Sequence, residues 1–380
     1  MNRPLRVLAL TENEGFCFFY RIKWPMMALH ELGLIELIVM KPSFNTPDSI
    51  GEHASMADVI IFHYAQPDTL LIKYSKLIKK HWIKQILVSE FDDDYTSLSP
   101  MNHAYKYFGQ ENVITLNGKE LWMDGKVFDN NDSIEPVFDI QANKDRLWKM
   151  QDACCESDLI TITNKILLDT FHFSESKKQV LGNYIYPIPE IMPTGVIPDN
   201  DFITIGWQGG DSHYEDLYSC MPTLEKIKEK YGDKVKFIFF GAKFPGLYKR
   251  IDGDFIPWIK PIDFYQKFSE NLFDIGIIPL VDSKFNRSKS NIKWLEYSYY
   301  GIPSVVANVI PYSLDGTHDV NLLYYNSPGQ MFKNLCTLID SKEERKRISI
   351  NAKKYVVENY DIRKHCLKWY DAYIDCLSKK

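Results

Sequence analysis

The sequence lacks any hydrophobic run that approaches the ~20 residues needed to span a bilayer. Its N-terminal apolar stretch, Val7 to Leu10, is too short to form the core of a signal peptide. The seven cysteines are scattered, odd in number and form no CxxC pair. They therefore indicate neither a zinc site nor a disulfide framework. We expect a cytoplasmic protein whose thiols are reduced.

The chain also lacks an excess of positive charge. It has 45 Lys and Arg residues against 50 Asp and Glu, and thus a formal net charge of −5. This balance disfavours a protein that binds nucleic acid non-specifically through a basic surface. The hydrophobic fraction of 45% is ample for burial, and 380 residues exceed the size of one ordinary core. Two domains are expected.

Short apolar runs alternate with helical stretches in both halves of the sequence. This alternation is typical of parallel βαβ units and predicts an α/β protein with two Rossmann-like domains. A stretch at 101–145 interrupts it, and turn signals at Asn117-Gly118 and at 124–132 suggest a hairpin insertion there. The predicted strands are 5–10, 35–40, 59–63, 86–89 and 159–163, followed by 202–206, 235–241, 274–280 and 304–307, with helices at 22–32, 214–231 and 291–300.

A proline-rich segment separates the halves. Four prolines lie within twelve residues, at Pro187, Pro189, Pro193 and Pro198. Such a density excludes a helix and stiffens the connection. We predict a first domain at 1–186, a linker at 187–200, a second domain at 201–358 and a C-terminal amphipathic helix at 359–380. The apolar face of that helix must be buried.

The segment 274–307 carries the most chemistry. It reads as a strand, a polar loop, a helix beginning near Ser290 and a second strand. Backbone N–H groups at a helix start bind anions, and Arg287 and Lys289 add positive charge beside Ser288 and Ser290. Glu296 lies about two turns into the helix, where it is suited to accept hydrogen bonds from ribose hydroxyls. The alternative is an ordinary surface helix with Ser290 as N-cap and solvated cations.

This segment resembles the donor site of GT-B glycosyltransferases, in particular the large retaining group called family four. Leu295-Glu296-Tyr297, Gly301-Ile302-Pro303 and Val305-Val306 match the end of the family motif. The first glutamate of that motif falls at Ser288. A variant found in many phage and bacterial sequences, Lys-Ser-x-x-Lys-x-x-Glu-Tyr, matches Lys289 to Tyr297 and includes Lys293.

The resemblance implies two Rossmann-like domains that face each other across a cleft, with the C-terminal helix crossing back to the first domain. The second domain then binds a UDP-sugar or GDP-sugar, with Glu296 on the ribose. The first domain binds the acceptor. No tightly bound cofactor and no metal are implied, and the sugar is transferred with retention of configuration. Further donor contacts are expected at Ser288, Ser290 and Lys293.

A turn that contains glycine follows the first strand of each domain. Gly209 and Gly210 lead to His213, which stands where family members often carry a cationic pair, and glycine lets the backbone approach a diphosphate. Arg287 and Lys289 are our candidates for neutralising the departing diphosphate. In the first domain we expect Gly15 to let the backbone approach the reacting sugar.

Three consecutive aspartates follow the strand at 86–89. Asp92, Asp93 and Asp94 repel one another unless a ligand or reaction uses them. We favour a role for Asp92 and Asp93 in catalysis and for Asp94 in acceptor binding, against the alternative of an Asx turn that caps a helix. Arg21, in the helix after the first strand, is a candidate acceptor contact, against the alternative of a surface salt bridge.

A basic face is predicted on a helix at 70–84. Lys73, Lys76, Lys80 and Lys84 share one side of it. Such a helix suits peripheral contact with an anionic membrane or with nucleic acid. The alternative, a helix that covers the sheet and exposes solvated lysines, is the one we favour.

The leading hypothesis is therefore a glycosyltransferase that acts on a hydroxyl acceptor such as a surface saccharide or lipid-linked glycan. Sugar transfer to hydroxymethylated bases of phage DNA is the second hypothesis. A non-catalytic protein that binds sugar nucleotides or glycans is a third, of another class, and an epimerase with the same two domains is a fourth.

Overall fold

The computed structural model describes residues 3–64, 69–81, 84–102, 104–111, 113–116, 119–123, 126–127, 139–171, 174 and 176–380. The chain divides into two compact units. Unit 1 comprises residues 1–182, 288–290 and 362–380, and unit 2 comprises residues 183–287 and 291–361.

Strands and helices alternate through the first 182 residues. The strands are β1 (Leu5–Leu10), β2 (Ile35–Met40), β3 (Val59–Tyr64), β4 (Ile86–Phe91), β5 (Val113–Leu116), β6 (Lys119–Met123), β7 (Lys126–Val127), β8 (Leu159–Ile162) and β9 (Lys177–Val180). The helices are α1 (Phe16–Phe18), α2 (Trp24–Glu31), α3 (Pro47–Met56), α4 (Thr69–His81), α5 (Tyr105–Phe108), α6 (Ile140–Cys155) and α7 (Leu167–Thr170). A π-helical turn, Phe19–Lys23, joins α1 to α2.

Unit 1 is organised around a six-stranded parallel sheet with the order β2-β1-β3-β4-β8-β9. Every residue of β3 and β4 is buried, as expected for parallel strands covered on both faces. The strand order reverses between β1 and β3. In an open α/β sheet the crevice at such a switch point, outside the carboxyl ends of the strands, is where ligands bind.

The insertion predicted from turn signals forms an antiparallel sheet, β5-β6-β7. The turns predicted at Asn117-Gly118 and Asp124-Gly125, and most of the predicted turn segment that follows them, lie outside the described residues.

The C-terminal segment forms two helices, α15 (Ile362–His365) and α16 (Leu367–Leu377), that belong to unit 1. Both contact α2, and α16 also contacts β4. Trp369 and Tyr373 are almost completely buried, so the apolar face predicted for this helix lies against unit 1.

Unit 2 repeats the alternation. Its strands are β10 (Ile203–Gly209), β11 (Val235–Gly241), β12 (Asp254–Pro257), β13 (Ile275–Ile278), β14 (Ser304–Ala307) and β15 (Leu323–Tyr325). Its helices are α8 (Tyr214–Tyr231), α9 (Pro245–Tyr248), α10 (Pro261–Ser269), α11 (Lys284–Arg287), α12 (Ile292–Tyr299), α13 (Pro328–Asp340) and α14 (Lys342–Asn359), which precede α15 (Ile362–His365) and α16 (Leu367–Leu377) in the chain.

The strands of unit 2 form a second six-stranded parallel sheet, β12-β11-β10-β13-β14-β15. This is the Rossmann order, with the switch point between β10 and β13. The carboxyl ends of these two strands lead into the turn at Gly209–His213 and into the loop at 279–283. Residues predicted to bind the donor therefore begin at the switch point of unit 2.

The basic helix predicted at 70–84 is shorter than expected. Helix α4 ends at His81, so Lys84 lies beyond it. Lys73 and Lys80 are exposed, while Lys76 forms an exposed ion pair with Asp152 (Nζ–Oδ2 2.6 Å). None of the helices in the described part of the chain combines the length and apolarity that a membrane crossing requires.

Gly241 is a position where the unit 2 sheet tolerates only glycine. It has a φ of +102°, and a Cβ on it would lie 2.4 Å from the carbonyl oxygen of Gly209. We expect Gly241→Ala to lower the free energy of unfolding by about 1–3 kcal/mol, because alanine strains this backbone and displaces β10. Urea denaturation measures the change.

Gly246→Ala is the matched control, since nothing lies within 4 Å of its Cβ position and alanine favours the helix. The control should leave stability unchanged or slightly raised. Equal stability of the Gly241→Ala and wild-type proteins would contradict the expectation.

Candidate functional site

Gly209 and Gly210 form the turn at the carboxyl end of β10. A Cβ on Gly209 would lie 2.5 Å from the indole of Trp207 and 3.1 Å from Nζ of Lys293, whereas Gly210 is exposed and has open space around it. Glycine at 209 therefore lets a side chain of α12 lie directly against the main chain of the turn. This is a backbone surface of the kind that phosphate groups approach.

A hydrogen-bonded chain of three side chains follows the turn. Nζ of Lys293 lies 2.9 Å from Nε2 of His213, and Nδ1 of His213 lies 2.7 Å from Oδ2 of Asp216. All three residues are buried, with 8%, 7% and 1% exposure. The Lys293 ammonium also lies 5.6 Å from the centre of the Trp207 ring, within the range of a cation–π contact.

The other oxygen of Asp216 holds the loop after β13. Oδ1 accepts hydrogen bonds from the backbone N–H of Val281 and from Nδ2 of Asn286, both at 2.8 Å. Asn286 also donates to the carbonyl of Val281. One carboxylate thus connects the start of α8 to the loop at 279–283 across the switch point.

Glu296 is buried, with 2% exposure, and its carboxylate is held on both sides. Oε2 accepts from Nε2 of Gln208 (2.5 Å) and Oε1 accepts from the hydroxyl of Tyr265 (3.0 Å). A carboxylate oxygen can accept more than one hydrogen bond, and these two bonds hold the carboxylate beside the end of β10.

The loop before α12 differs from the sequence-based prediction. The N-cap of α12 is Asn291 rather than Ser290, and no side-chain capping bond is made. Arg287 is exposed and forms a two-point ion pair with Asp282 (Nε–Oδ1 2.5 Å, NH2–Oδ2 2.8 Å). Arg287 and Lys293 were both predicted to contact the donor. In the structure Arg287 is exposed to solvent, whereas Lys293 is buried.

Ser288, Lys289 and Ser290 belong to unit 1. The side-chain amide of Asn164 donates to the carbonyls of Ser288 and Lys289, and the backbone N–H of Asp94 donates to Oγ of Ser288 (3.3 Å). Ser288 and Lys289 are buried and Ser290 is half-buried. This short segment is therefore fixed beside the acidic triplet.

Asp92 has the most perturbed environment of the triplet. It is 8% exposed, and its Oδ1 has no hydrogen-bond partner among the described residues. Burial and the neighbouring Asp93 raise the pKa of Asp92 to about 7, although a hydrogen bond from Cys17 and the charge of Arg21 act in the opposite direction. Such a carboxyl can exchange a proton near neutral pH.

Cys17 and Lys289 complete this cluster. Burial and the carboxylates of Asp92 and Asp93 raise the pKa of Cys17 well above its ordinary value, while the charge of Lys289 lowers it. The thiol therefore stays protonated and donates to Asp92. Asp93 is half-buried, so the cluster brings together the two aspartates and the lysine that the sequence predicts to be catalytic.

Asp94 forms a local turn, which is part of the alternative considered for the triplet, but residues 95–102 that follow it are turns and bends rather than a helix. Its Oδ1 accepts from the backbone N–H and hydroxyl of Thr96 (3.0 and 2.5 Å), and Oδ2 accepts from the hydroxyl of Ser97 (2.7 Å). The side chain is fully buried. Asp94 therefore shapes the loop after β4. Its carboxylate is not exposed in this structure, so it is not available for the acceptor contact predicted from the sequence.

Arg21 is buried rather than at the surface, so the surface salt bridge considered for it is wrong. Its Nε lies 2.6 Å from Oε1 of Glu90, with 0% and 1% side-chain exposure. Its NH1 donates to the carbonyl of Leu181, and the guanidinium lies 6.0 Å from the ring centre of Trp369. Burial raises the pKa of Glu90, and Arg21 opposes this. A fully buried guanidinium offers no surface to an acceptor.

The switch point of unit 1 holds His63, which the sequence did not single out. Its Nδ1 lies 3.0 Å from the hydroxyl of Thr11, at the ends of β3 and β1. Burial and the charge of Arg21 lower the pKa of His63 to about 3, so the ring is neutral. Gly15 lies in the turn after β1. This is an Asx turn, in which the N–H of Gly15 donates to Oδ1 of Asn13 (2.8 Å).

Several residues of these clusters carried only weak sequence signals. Asp216 lies three residues after His213 in the first turn of a predicted helix, and that spacing brings two side chains together. His63 stands at the end of a predicted strand next to β1. Asn164, Asn286 and Cys17 had no such signal, because their contacts join distant parts of the chain. Within the described part of the chain, no group of three or more His, Cys, Asp or Glu side chains is arranged to hold a metal ion.

No protein-family model matches the chain, and no curated protein matches its sequence. Solved structures do match it in fold. Anabaena HepE in complex with UDP and glucose is 12% identical and covers 98% of this chain and 100% of its own, with a TM-score of 0.62. Sucrose-phosphate synthase from Thermosynechococcus elongatus is 11% identical and covers 99% of this chain and 100% of its own, with a TM-score of 0.64.

A third similar structure is an alpha-glucosyltransferase in complex with UDP and a 13-mer DNA that contains an HMU base. It is 10% identical and covers 98% of this chain and 100% of its own, with a TM-score of 0.64. Likenesses at this level of identity show a shared fold. The predicted fold class, an α/β protein of GT-B type with two Rossmann-like domains, is confirmed.

The raised pKa of Asp92 predicts a pH dependence of stability. The folded protein holds the Asp92 proton up to about pH 7, whereas the ordinary pKa of the carboxyl is 3.8. The folded state therefore binds more protons between these values, and this contribution to the free energy of unfolding falls as the pH rises through them. Asp92→Asn, which cannot ionise, should gain stability relative to wild type over the same interval.

Urea denaturation of both proteins at about pH 5 and about pH 8 tests this expectation. Asp371→Asn, which changes an exposed aspartate of α16, is the control and should show the same difference from wild type at both pH values. A constant difference for Asp92→Asn as well would contradict the raised pKa.

Proposed function

We propose that this chain is a glycosyltransferase that transfers a sugar from a UDP-sugar to a hydroxyl acceptor with retention of configuration. The observation that carries the proposal is the arrangement at the switch point of unit 2. A buried glutamate, Glu296, and a buried lysine, Lys293, both lie beside the glycine turn that ends β10. This combination suits the ribose and the diphosphate of one ligand.

In this proposal unit 2 binds the donor. Glu296 accepts hydrogen bonds from the ribose hydroxyls, and Gly209 and Gly210 allow the diphosphate to approach the backbone. UDP is the nucleotide that we favour over GDP, because the similar structures of HepE and of the DNA-bound enzyme contain UDP. His213 contributes to binding of the diphosphate indirectly, through its hydrogen bond with Lys293.

Unit 1 supplies the acceptor side and the groups for catalysis. Asp92, with a pKa of about 7, can accept a proton from the attacking hydroxyl, and Asp93 orients the sugar. Lys289 places a positive charge in the same cluster, while Ser288, Ser290 and Gly15 contribute main-chain and hydroxyl groups. Arg21 and Asp94, both buried in contacts of their own, support this arrangement from inside unit 1.

The chemistry requires positioning of the two substrates and neutralisation of the departing diphosphate. The acceptor oxygen forms a bond to the anomeric carbon as the bond to the diphosphate breaks. When the acceptor attacks from the face that the diphosphate leaves, configuration is retained without a covalent enzyme intermediate. Arg287 remains a candidate for this neutralisation if its guanidinium leaves Asp282.

A panel of nucleotide sugars tests the donor assignment. We expect turnover with a UDP-sugar, and NMR should show that the product has the anomeric configuration of the donor. Binding without turnover would favour the non-catalytic alternative, and an epimerised nucleotide sugar formed without acceptor would favour an epimerase. Turnover with GDP-sugars alone would contradict the choice of UDP.

Glu296→Ala should weaken binding of UDP about tenfold or more, because a hydrogen bond to a charged group is lost. Isothermal titration calorimetry measures the affinity, and thermal melting verifies that the variant is folded. Glu229→Ala removes an exposed glutamate of the α8 helix and should bind UDP as wild type does. Unchanged affinity of Glu296→Ala would remove this residue from the donor site.

A modified base in DNA is the second candidate acceptor. It is supported by the likeness in fold to the DNA-bound alpha-glucosyltransferase, while the net charge of −5 weighs against it. A saccharide or lipid-linked glycan is the acceptor that we favour. The exposed lysines Lys73, Lys80 and Lys84, with the paired Lys76, would support peripheral contact with an anionic membrane in the lipid-linked case.

Transfer of labelled glucose from UDP-glucose separates these acceptors. We expect label on an oligosaccharide or lipid-linked acceptor and none on duplex DNA containing hydroxymethylated pyrimidines. Unmodified duplex DNA is the matched control for the DNA substrate. Label on the hydroxymethylated duplex alone would establish the second candidate in place of the first.

A further inference from the structure

We infer that Lys293 is the cation that holds the donor diphosphate in unit 2, and that His213 and Asp216 are positioning residues that set the place of its ammonium group. The inference rests on the proposed function and adds to it the division of roles among these residues. The sequence offers Arg287 and Lys289 as the charges for this task, and neither belongs to the hydrogen-bonded chain at the turn of β10.

The ammonium of Lys293 lies where a diphosphate would meet the glycine turn. Lys293 is the second residue of α12, and its Nζ is 3.1 Å from the Cβ position of Gly209. The side chain extends past the ring of Trp207 to reach that point. A charge that is mostly screened from water interacts more strongly with an anion than one in bulk solvent.

The hydrogen bonds assign the proton on His213. An ammonium group only donates hydrogen bonds, so Nε2 of His213, 2.9 Å from Nζ of Lys293, is the acceptor. Nδ1 then carries the proton and donates it to Asp216. The imidazole is neutral in this arrangement, because a doubly protonated ring would direct an N–H group at the ammonium.

Asp216 selects this tautomer and fixes the ring. Its Oδ2 accepts from His213, while its Oδ1 is held by the N–H of Val281 and the amide of Asn286. The position of the Lys293 ammonium is thus set by the start of α8 and the loop after β13, while helix α12 carries the lysine itself. This is a preorganised charge, which need not be repositioned when the donor binds.

Arg287 is less suited to this role. Its guanidinium is half exposed and already bonded to the carboxylate of Asp282 through both Nε and NH2. A guanidinium that is exposed to water interacts less strongly with an anion than a buried charge does, and the pair with Asp282 would have to open before Arg287 met a phosphate. Lys293, in contrast, is buried, and its ammonium already lies beside the glycine turn.

Calorimetric titration with UDP and with uridine separates a contact to the diphosphate from a general change in the site. Lys293→Met keeps most of the side-chain volume and removes the charge. We expect it to lower UDP affinity by about 10- to 100-fold and to change uridine affinity by less than about twofold. Lys342→Met, at an exposed lysine of unit 2, is the matched control and should bind both ligands as wild type does.

The positioning residues should show the same selectivity. His213→Phe removes the acceptor for Lys293, and Asp216→Asn directs an amide N–H at Nδ1 and so favours the opposite tautomer. Both should lose UDP affinity with little change for uridine. His213→Gln restores one acceptor and one donor and should recover most of the loss. Equal losses for UDP and uridine in these variants would show a merely structural role and overturn the positioning assignment.

The outcomes also separate this inference from the proposed function. Wild-type protein that binds neither UDP nor any other nucleotide diphosphate would overturn both. Wild-type protein that binds UDP, with unchanged UDP affinity in Lys293→Met, would overturn the inference and leave the proposed function standing. A selective loss of UDP binding in Arg287→Ala, with none in Lys293→Met, would assign the diphosphate to Arg287 instead.

Discussion

The buried ion pair between Arg21 and Glu90 is the interaction on which the arrangement of unit 1 depends. The guanidinium joins the helix after β1 to β4, to the carbonyl of Leu181 and to Trp369 of the C-terminal helix. Breaking a buried pair by removing one partner generally costs about 3–5 kcal/mol, because the other charge is left uncompensated. Glu90 precedes Asp92 by two residues, and both charges of the pair act on the pKa of Asp92, which Arg21 lowers and Glu90 raises.

Unit 2 uses one carboxylate in a comparable way. Asp216 joins the start of α8 to the loop after β13 and, through His213, to Lys293 on α12. Both units thus place a buried charge at the carboxyl edge of a parallel sheet, close to the point where the strand order reverses. Parallel topology brings the strand ends together there, and most buried polar groups in folded proteins are hydrogen-bonded.

Local patterns predicted the elements well and the roles of single polar residues less well. Strands β1, β2, β11 and β14 and helix α8 have the predicted bounds, because apolar runs and their spacing report burial directly. The acidic triplet looked uniform in sequence, yet Asp92 is buried with a raised pKa, Asp93 is half-buried and Asp94 closes a local turn. Asn291 rather than Ser290 is the N-cap of α12, and α4 ends before Lys84.

The α/β class and the repeated βαβ alternation followed from the sequence alone, because they depend on hydrophobic periodicity, and a contiguous motif was enough to predict a donor site. Which charges are paired and which are buried could be learned only from the three-dimensional structure. Arg21 meets Glu90 across 69 positions of sequence, and Lys293 meets His213 across 80. The environment of a charged side chain depends on such distant partners and on exclusion of water, and neither is encoded in the spacing of neighbouring residues.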